Sequence, residues 1–414
     1  MLKRREILRR AGAIALAPWL NHACSPPSSA SKRRAGPDGQ TPGNAGPVRL
    51  FLCGDVMTGR GIDQVLPFTC PPEFHKRIMA SAHGYVDLAE SVSGPIPEPV
   101  SFSYVWGDAL QEFEKFAPDA RIINLETAVT TSGDRTPKAI NYRMHPRNVP
   151  CLTAAGIDCC VLANNHILDW GESGLAETID TLHRANLKTA GAGRTLAEAQ
   201  ALATIQVRGA SRVIVLALGA RSAGIPSHWA ATQERPGVAY LPDLSDTTAI
   251  RIAGRVRAVK RPGDVVVASI HWGGNFGYRV PPAHREFAHM LVDLAGVDIV
   301  HGHSSHHPMG IEVYKNRPIL YGCGDFLNDY EGIDGKEEYR GHLVLMYFLT
   351  IDPSTGELLQ LDMRPLEIKR FQLHRASPAD ARWLQSTLHR EGARLGTEVE
   401  LDSSETLRLG WRQG

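Results

Sequence analysis

Residues 265–271 read Val-Val-Val-Ala-Ser-Ile-His, an almost continuous apolar run that ends in a histidine. Such a run, rich in β-branched residues, predicts a strand that is buried on both faces, as in a parallel sheet covered by helices. Residues 213–218 read Val-Ile-Val-Leu-Ala-Leu and predict a second strand of the same kind. The two runs together indicate an α/β fold.

The same alternation of strands and helices extends over residues 48–300, and strands dominate from residue 311 to 370. The other predicted strands are 48–53, 120–124, 159–163, 298–300, a hairpin of 311–314 and 318–321, and a pair formed by 343–351 and 359–368. The predicted helices are 104–116, 149–155, 173–185 capped by Ser173, 284–295 and 379–391. Prolines and weak periodicity predict a long loop over residues 62–101. We therefore expect one α/β domain with an antiparallel C-terminal portion.

The composition excludes several classes of protein. The chain has 414 residues, of which 43% are hydrophobic and 21% charged, so it is neither collagenous, nor a coiled coil, nor wholly disordered. No apolar run reaches the roughly 18 residues of a membrane span, which excludes a polytopic membrane protein. Residues 1–34 carry a net charge of +7, and the remainder, with 37 basic and 43 acidic residues, carries −6. A general nucleic-acid-binding surface on the acidic body is therefore not expected.

The N-terminus has the pattern of an export signal. Basic residues up to Arg10 precede a short apolar stretch, and residues 1–24 are predicted to form a signal peptide. Arg4-Arg5 resembles a twin-arginine signal, and Cys24 resembles the lipidated residue of a lipoprotein. Residues 25–46 are predicted to form a flexible linker. We expect a protein of the periplasm or cell envelope, anchored to the membrane through a lipid on Cys24; the alternative is a disordered basic N-terminus.

The seven cysteines show no C-x-x-C pair. Cys53, Cys159, Cys160 and Cys323 lie in apolar runs and are predicted to be buried free thiols. An export compartment permits disulfides, but their pairing cannot be read from the sequence.

Side chains that bind metals follow five of the predicted strands. The residues at these strand ends are Asp55, Glu126, the Asn164-Asn165-His166 block, His271 and the His301–His307 segment. The carboxyl ends of strands in an open α/β sheet converge on one crevice, where ligands bind. Carboxylate, amide and imidazole groups together suit Zn²⁺, Mn²⁺ or Fe.

Each of these features has a structural explanation when it is taken alone. Asp55 could form a turn, Glu126 could be solvated and Asn165 could cap the following turn. His271 could be a packed core residue, and the histidines of 301–307 could face water. Five strand ends with the same chemistry favour a shared metal or catalytic site.

The order of these motifs resembles a known family. The matching blocks are Gly54-Asp55 to Arg60, Asn124-Leu-Glu126, Asn164-Asn165-His166-Ile-Leu-Asp169-Trp-Gly171, His271-Trp-Gly273, Gly302-His303 to His306, Gly310 to Tyr314 and Leu320 to Phe326. Over residues 48–330 the chain resembles the capsule and poly-γ-glutamate biosynthesis proteins of the CapA type. That family resembles the calcineurin-like metallophosphoesterases, which implies a four-layer αββα sandwich and two metal ions at strand ends.

The resemblance also implies domain bounds and residue roles. It places the CapA-like domain at residues 47–371 and a C-terminal helical extension at 372–414. The implied ligands of two divalent ions (Mn, Zn or Fe) are Asp55 for the first, Glu126 as the bridging carboxylate, Asn165 for the second, and His271, His303 and His306. His166 would face the substrate as a catalytic residue, oriented by Asp169.

Some residues depart from the metallophosphoesterase pattern. Met57 stands where a second ligand, usually His, is expected, and Glu126 replaces a bridging Asp. Ser304 lies inside the usual Gly-x-His-Pro-His motif, so either His303 or His301 supplies that ligand. Asp325 stands where Asn is more usual. The number of metal ions and the phosphoesterase activity therefore stay open at this point.

The site predicts two alternative functions. In the first, a metal-dependent hydrolase or transferase acts on a phosphoester or amide bond of an anionic cell-envelope polymer or its precursor. Arg60 would bind an anionic group of this substrate, unless it is a surface arginine. In the second, the chain is a non-catalytic assembly or export component of a polymer-synthesis complex. Either role implies a polymer ligase and export proteins as partners, and neither involves nucleic acid.

Overall fold

The structure is a computed structural model that describes residues 46–73, 79–209, 211–333 and 335–412. The predicted signal peptide with Cys24, and all but the last residue of the predicted linker, lie outside these ranges. Within them, none of the helices combines the length and the hydropathy that crossing a bilayer requires.

The described residues form strands and helices in a mixed order. The strands are β1 (Val48–Val56), β2 (Ala120–Leu125), β3 (Ala128–Val129), β4 (Arg143–Met144), β5 (Cys159–Val161), β6 (Lys188–Ala190), β7 (Ala192–Gly193), β8 (Ala203–Gln206), β9 (Arg212–Ala220), β10 (Gly237–Val238), β11 (Tyr240–Leu241), β12 (Val265–His271), β13 (Ile299–His303), β14 (Ile311–Tyr314), β15 (Arg317–Leu320), β16 (Asp325–Leu327), β17 (Leu343–Ile351), β18 (Leu358–Lys369), β19 (Gln372–Arg375), β20 (Thr397–Leu401) and β21 (Leu407–Trp411). The α-helices are α1 (Gly61–Val65), α2 (His83–Ser93), α3 (Ala109–Phe116), α4 (Pro150–Ala154), α5 (Gly171–Arg184), α6 (Leu196–Ala199), α7 (Asp246–Arg257), α8 (Pro282–Ala295) and α9 (Pro378–Ala393). This content confirms the predicted α/β class.

The larger sheet is parallel in one half and antiparallel in the other. Its strand order is β20-β21-β18-β17-β1-β2-β5-β6, with β16 added to β1 and β19 added to β18. The strands β1, β2, β5 and β6 run parallel, whereas β17 pairs with β1 and with β18 in the antiparallel direction. The predicted antiparallel C-terminal portion is therefore part of the same sheet as β1.

The second sheet contains the two apolar runs from which the fold was predicted. Its order is β11-β9-β12-β13-β15-β14, and β8 is added to β9. The strands β9, β12, β13 and β15 run parallel, and β14 and β15 form the predicted hairpin. All seven residues of β12 are buried, as expected for a strand covered on both faces.

Apolar residues on the two sheets share one core. Leu50 and Leu52 of β1 belong to the same buried cluster as Val213 and Val215 of β9. The outer face of the first sheet, with Phe51 of β1, packs on α1 to α5, and the outer face of the second packs on α7 and α8. The parallel strands of both sheets thus deliver their carboxyl ends to neighbouring positions.

Several predicted elements were wrong in detail. The segment 62–101 is not one loop, because α1 begins at Gly61 and α2 occupies residues 83–93; short helices between prolines leave little periodicity in the sequence. The predicted helix 104–116 is divided at Gly107, whose φ of +41° separates a short 3₁₀ turn from α3. Ser173 does not cap α5, which begins at Gly171 after Trp170.

The C-terminal segment is more than a helical extension. The predicted helix is present as α9, but residues 372–412 also supply β19, β20 and β21 to the larger sheet. Alternating residues such as Val399 and Leu409 are buried in the core between the sheets, which is what fixes these strands.

The predicted thiol state is confirmed for the described residues. Cys53, Cys159, Cys160 and Cys323 are free and buried, as are Cys70 and Cys151.

Candidate metal centre

Asp55 lies at the centre of the predicted site. It is fully buried near the end of β1, where its Cα pairs with Asn124 of β2 and with Asp325 of β16. Asn124 Nδ2 donates to one carboxylate oxygen at 2.7 Å, and the backbone N–H of Ser304 donates to the other at 3.1 Å. These contacts orient the carboxylate toward the ends of both sheets.

The first group of potential metal ligands consists of Asp55, His271 and His303. The Nδ1 atoms of the two histidines are 2.7 Å apart, and His303 Nδ1 is 3.8 Å from Asp55 Oδ1. Ligand atoms of the three residues lie within 4.8 Å of one another. Burial, together with neighbouring histidines, lowers the pKa of both imidazoles well below the usual value, so both rings are neutral. A neutral imidazole is the form that binds a metal ion.

The second group consists of Asp55, His306 and Asp325, and it shares its carboxylate with the first. His306 Nδ1 is 2.8 Å from Asp325 Oδ1, and Asn328 Nδ2 donates to the other oxygen of Asp325 at 2.8 Å. Burial opposes protonation of His306, but the charges of Asp325 and then Asp55 outweigh it and raise the pKa of this imidazole. Asp55 is therefore the residue common to both groups.

Glu126 and Asn165 flank the first group. Glu126 Oε1 is 3.8 Å from Nε2 of both His166 and His271, and Asn165 Oδ1 is 3.1 Å from His271 Nε2. The structure thus brings these two predicted ligands to the site; the bridging role of Glu126 stays a prediction, and Asp55 is the residue that the two ligand groups share. The carboxylates of Asp55 and Glu126 are crowded in a water-excluded space. Burial first, and then the charge of Asp325, raises the pKa of Asp55 to about 7, and burial followed by Asp55 raises that of Glu126 well above its usual value.

His301 does not point into the site. Its Nε2 lies 2.7 Å from the backbone oxygen of Cys53, and its Nδ1 lies 3.0 Å from Ser269 Oγ. Both ring nitrogens are therefore engaged, and His303 is the histidine of β13 that faces Asp55. At the turn after β13, Ser304 has a φ of +97°, a strained conformation of the kind that is found at functional sites.

His166 is held by Asp169, as the resemblance implied. His166 Nδ1 is 2.6 Å from Asp169 Oδ2, and this oxygen also accepts the backbone N–H of Tyr142 at 2.6 Å. Burial lowers the pKa of His166 to about 4, although the Asp169 carboxylate acts in the opposite direction. The ring is therefore neutral near pH 7, and its Nε2 faces Glu126.

Sequence reasoning missed Lys138 and the place of Asp325 in a group of potential metal ligands. Lys138 Nζ donates to Asp169 Oδ1 at 2.6 Å, and it also contacts His166 Nδ1 at 3.3 Å. It lies in a segment without a strand-end pattern, so the sequence carried no signal for it. Asp325 was visible in the matching blocks and begins β16, a short strand that pairs beside β1. Recognising that β16 pairs beside β1 would have placed Asp325 next to Asp55.

Arg60 is buried beside the site. Its guanidinium makes a bidentate ion pair with Asp329, and Nη1 donates to Tyr85 OH at 3.1 Å. The same guanidinium lies 4.0 Å from the centroid of the Tyr85 ring and 4.2 Å from that of Tyr142. It is not a surface arginine, and a carboxylate already compensates its charge. Binding of a substrate anion by Arg60 stays a prediction.

The sequence is similar to a family of known proteins and to several individual ones. Residues 49–330 match the family described as bacterial capsule synthesis protein PGA_cap. The chain is 48% identical over 361 residues to a probable polyglutamine synthesis accessory protein of Mycobacterium tuberculosis, which covers 86% of this chain and 94% of that protein. It is 31% identical over 322 residues to the capsule biosynthesis protein CapA of Bacillus anthracis, covering 78% of this chain and 68% of CapA. It is 27% identical over 264 residues to the PGA biosynthesis protein CapA of Bacillus subtilis, covering 62% of each. The matched range contains every residue of both ligand groups.

Proposed function

The chain belongs to the bacterial capsule synthesis protein PGA_cap family, and from that premise we propose that it has an accessory role in the synthesis of capsule or poly-glutamate. Within this role, the proposed activity is that of a hydrolase or transferase that uses divalent metal ions. Its substrate is a phosphoester or amide bond of a cell-envelope polymer or its precursor. The observation that carries the proposal is that Asp55 belongs to two groups of potential metal-ligand side chains, all of them buried except the half-buried His306.

The chemistry of the donor atoms fits two divalent ions. The first group offers one carboxylate and two neutral imidazoles, and the second offers two carboxylates and one imidazole. Mixed oxygen and nitrogen donors of this kind suit Mn²⁺, Zn²⁺ or Fe. Buried carboxylates with raised pKa values are costly unless a cation compensates them, and bound ions would remove that cost.

Divalent ions held by the two ligand groups would supply an activated water molecule and stabilisation of the oxyanion of a displacement, whether the substrate is a phosphoester or an amide. The chain itself supplies a positioned proton carrier. Asp169 fixes the orientation of the neutral His166 ring through Nδ1, which leaves Nε2 free to exchange a proton with the reacting group. The proton that the attacking water loses would pass to His166 Nε2, and His166 would then give it to the leaving group as general acid.

The proposal extends to the fold and the location of the protein. The order helices, sheet, sheet, helices and the site at the strand ends support kinship with the αββα sandwich of the calcineurin-like metallophosphoesterases. The basic and apolar pattern of residues 1–24 supports export to the periplasm or cell envelope, with Cys24 as a lipid anchor. A polymer ligase and export proteins are the proposed partners.

Metal counting in matched variants tests the ligand groups. The full chain is loaded with Mn²⁺ or Zn²⁺ and the bound ions are counted by mass spectrometry, with anomalous scattering to locate them. We expect two ions in the natural protein, one in Asp325→Asn and none in Asp55→Asn, because only Asp55 belongs to both groups. Asp87→Asn, an exposed carboxylate on α2, is the control and keeps both ions.

Activity assays then separate catalysis from a scaffold role. The loaded protein is offered bis(p-nitrophenyl) phosphate and γ-glutamyl peptides, and we expect turnover of one of them that falls at least about a hundredfold in Asp55→Asn. A protein that binds no metal, and whose Asp55→Asn and His166→Ala variants still support capsule formation in cells, would instead be the non-catalytic assembly component.

A further inference from the structure

A cavity of about 800 Å³ opens beside the second ligand group. Arg60, His306 and Asp325 lie along its wall, so any molecule that fills it reaches the proposed metal ions. Its volume is within the usual range for small-molecule sites, roughly 300–1,000 Å³. The side chains further from the metal ligands therefore indicate which part of a substrate this space takes.

Exposed apolar side chains surround the cavity. Seven large hydrophobic side chains are exposed among the described residues, and four of them line this one space. These four, which we call the apolar rim, are Val92 (62% exposed), Ile140 (40%), Phe276 (39%) and Ile333 (49%). Exposed apolar residues that cluster at a concave surface mark a binding site, whereas isolated ones are ordinary.

Aromatic rings connect the apolar rim to the metal ligands. The His306 ring is 5.6 Å from that of Tyr330 and 5.7 Å from that of Phe276, and Phe276 is 5.2 Å from Tyr339 between centroids. A molecule that extends from the metal site along this wall contacts ring faces and edges. This surface suits a hydrocarbon chain.

The charges of the cavity do not suit a polyanionic chain. Lys369 pairs with Glu367 at 2.7 Å, Arg340 pairs with Asp380 at 2.8 Å, and Arg60 pairs with Asp329. Glu331 and Glu337 also line the space. Lys336, whose ammonium group lies 4.9 Å from the centroid of the Phe276 ring, is a further basic residue of the lining and stands outside these ion pairs. Elsewhere along the cavity a repeating carboxylate would meet acidic groups and basic groups that already have partners, so the anionic part of the ligand belongs at the metal end.

We propose, on the basis of the function proposed above, that this cavity binds an amphiphile. Its anionic head lies at Asp55, His306 and Asp325 with their ions, and its hydrocarbon chain lies against the aromatic wall and the apolar rim. A lipid-linked polymer precursor has this chemistry, and so does a free anionic lipid.

Alkyl phosphates of different length test the site. Binding of dodecyl phosphate, kept below its micelle concentration, and of ethyl phosphate to the Mn²⁺-loaded full chain is measured by calorimetry. We expect dodecyl phosphate to bind at least about a hundredfold more tightly, because only its chain reaches the apolar rim. Equal affinities would overturn the proposal.

Matched double variants test whether the preference for the longer alkyl chain depends on the apolar rim. Ile140→Ser with Phe276→Ser is expected to weaken dodecyl phosphate binding about tenfold and ethyl phosphate binding less than about twofold. Ile250→Ser with Leu359→Ser changes two apolar residues outside the cavity that are more exposed than Ile140 and Phe276, and is expected to alter neither affinity. Equal losses in both double variants would mean nonspecific adsorption and contradict the proposal.

Binding to phosphatidylcholine vesicles that depends on the apolar rim, with no competition by dodecyl phosphate, would identify a membrane contact instead.

Turnover of bis(p-nitrophenyl) phosphate, measured on the same samples, separates this inference from the proposed function. Turnover without a chain-length preference overturns the amphiphile site and leaves the metal-dependent reaction standing. A chain-length preference that depends on the apolar rim, without turnover, supports the amphiphile site and contradicts the proposed reaction. A long-chain phosphodiester that competes better than its short analogue, while both are cleaved, supports the two together. Cleavage of both phosphodiesters would identify the natural amphiphile as a lipid-linked precursor. Binding without cleavage would identify it as a free anionic lipid.

Discussion

Asp55 owes its position to an irregularity of the backbone in β1. The register with β2 shifts between Leu52 and Asp55, and the register with β16 shifts again after Asp55. Irregularities of this kind bend a strand and redirect a side chain, and they are common beside active sites. The shift places one carboxylate between two other strands that both carry polar groups, Asn124 and Asp325. A single residue can therefore serve two ligand groups.

Lys138 is the single cation in contact with the His166–Asp169 pair among the described residues. Its ammonium group lies 2.6 Å from Asp169 Oδ1 and 3.3 Å from His166 Nδ1, and its side chain is 24% exposed. Asp169 Oδ1 thus accepts a hydrogen bond from Lys138, and Oδ2, the oxygen beside the imidazole, accepts one from the backbone N–H of Tyr142. We assign Lys138 as a positioning residue, because it acts on the substrate only through Asp169 and His166.

Replacing Lys138 should reduce turnover without removing the metal ions. In Lys138→Met, Asp169 loses its cationic partner and the orientation of His166 is no longer fixed, so we expect kcat to fall about 10- to 100-fold with little change in KM. Lys138→Arg should recover part of the rate and shift the pH profile. Lys188→Met, on the exposed end of β6, is the control. An unchanged kcat and pH profile in Lys138→Met would show that the Lys138–Asp169 ion pair only stabilises the loop that contains Lys138.

The residues of the site that lie at the ends of buried strands were predictable from the sequence. Asp55, His271 and His303 end buried strands, so their convergence followed from the rule that parallel strands share an edge. Lys138 comes from an irregular segment, and the orientation of a loop side chain depends on tertiary contacts that no local pattern encodes. The shared role of Asp55 depends on the shift in β1, which leaves no signal in the sequence.

At the scale of elements, β1 and the turn before β16 approach each other through glycine. The backbone N–H of Asp55 donates to the oxygen of Gly324 at 3.0 Å, and a Cβ added at Gly54 would lie only 1.9 Å from that oxygen. Because the obstacle is backbone, it cannot rotate away. Gly54 thus permits the contact that places Asp55 beside Asp325.

Adding one methyl group at Gly54 should be strongly destabilising. In Gly54→Ala the two segments must separate, and we expect the free energy of unfolding to fall by about 3 kcal/mol, with loss of metal uptake by the second ligand group. Gly254→Ala, in α7 with no atom within 4 Å of the added carbon, should instead be stabilising by about 0.5–1 kcal/mol. Urea unfolding curves of both variants measure the difference. Equal stabilities would mean that β1 and β16 adapt freely.

Elements were predictable where burial imposes a long pattern. The strands β9 and β12 are buried on both faces, and their apolar runs identified them within two residues. Helix α2 buries only Tyr85, Val86 and Ala89 and lies between prolines, so its periodicity was too short to recognise. The strands β20 and β21 are short and partly exposed, and they are fixed by the sheet edge that they join. Their pairing is a long-range property.

At the scale of the whole molecule, the charge is distributed unevenly along the chain. Residues 1–34, which include the proposed export signal, carry +7, and the remaining chain, which includes the folded body, carries −6. Burial of Asp55, Glu126 and Asp325 in one place makes the body acidic at the site itself. Divalent ions at the strand ends would compensate that charge.

The export proposal predicts where the protein is found in a cell. With Cys24→Ser, the lipid anchor cannot form, so we expect the protein to move from the membrane fraction to the soluble periplasmic or extracellular fraction. Replacing Arg4 and Arg5 by lysine should retain the chain in the cytoplasm, because the twin-arginine pathway reads these two residues. Fractionation and immunoblotting measure both outcomes. Membrane association that is unchanged in Cys24→Ser would remove lipidation from the proposal.

The buried histidines should make the whole fold sensitive to acid. His284 lies on α8 with its ring stacked on Trp272 at 4.5 Å, and burial alone lowers its pKa from 6.5 to about 4. A group whose pKa is lower in the folded state stabilises the protein above the unfolded value, and this contribution is lost as the pH falls from about 6.5 to 4. The loss for His284 amounts to about 3 kcal/mol.

His284→Phe keeps the stacking and cannot titrate, so its free energy of unfolding should fall between pH 7.5 and pH 4 by about 3 kcal/mol less than that of the natural protein. His228→Phe, at an exposed position, is the control and should follow the natural protein; urea unfolding at the two pH values measures all three. Parallel curves for His284→Phe and the natural protein would show that the ring is already solvated in the native state.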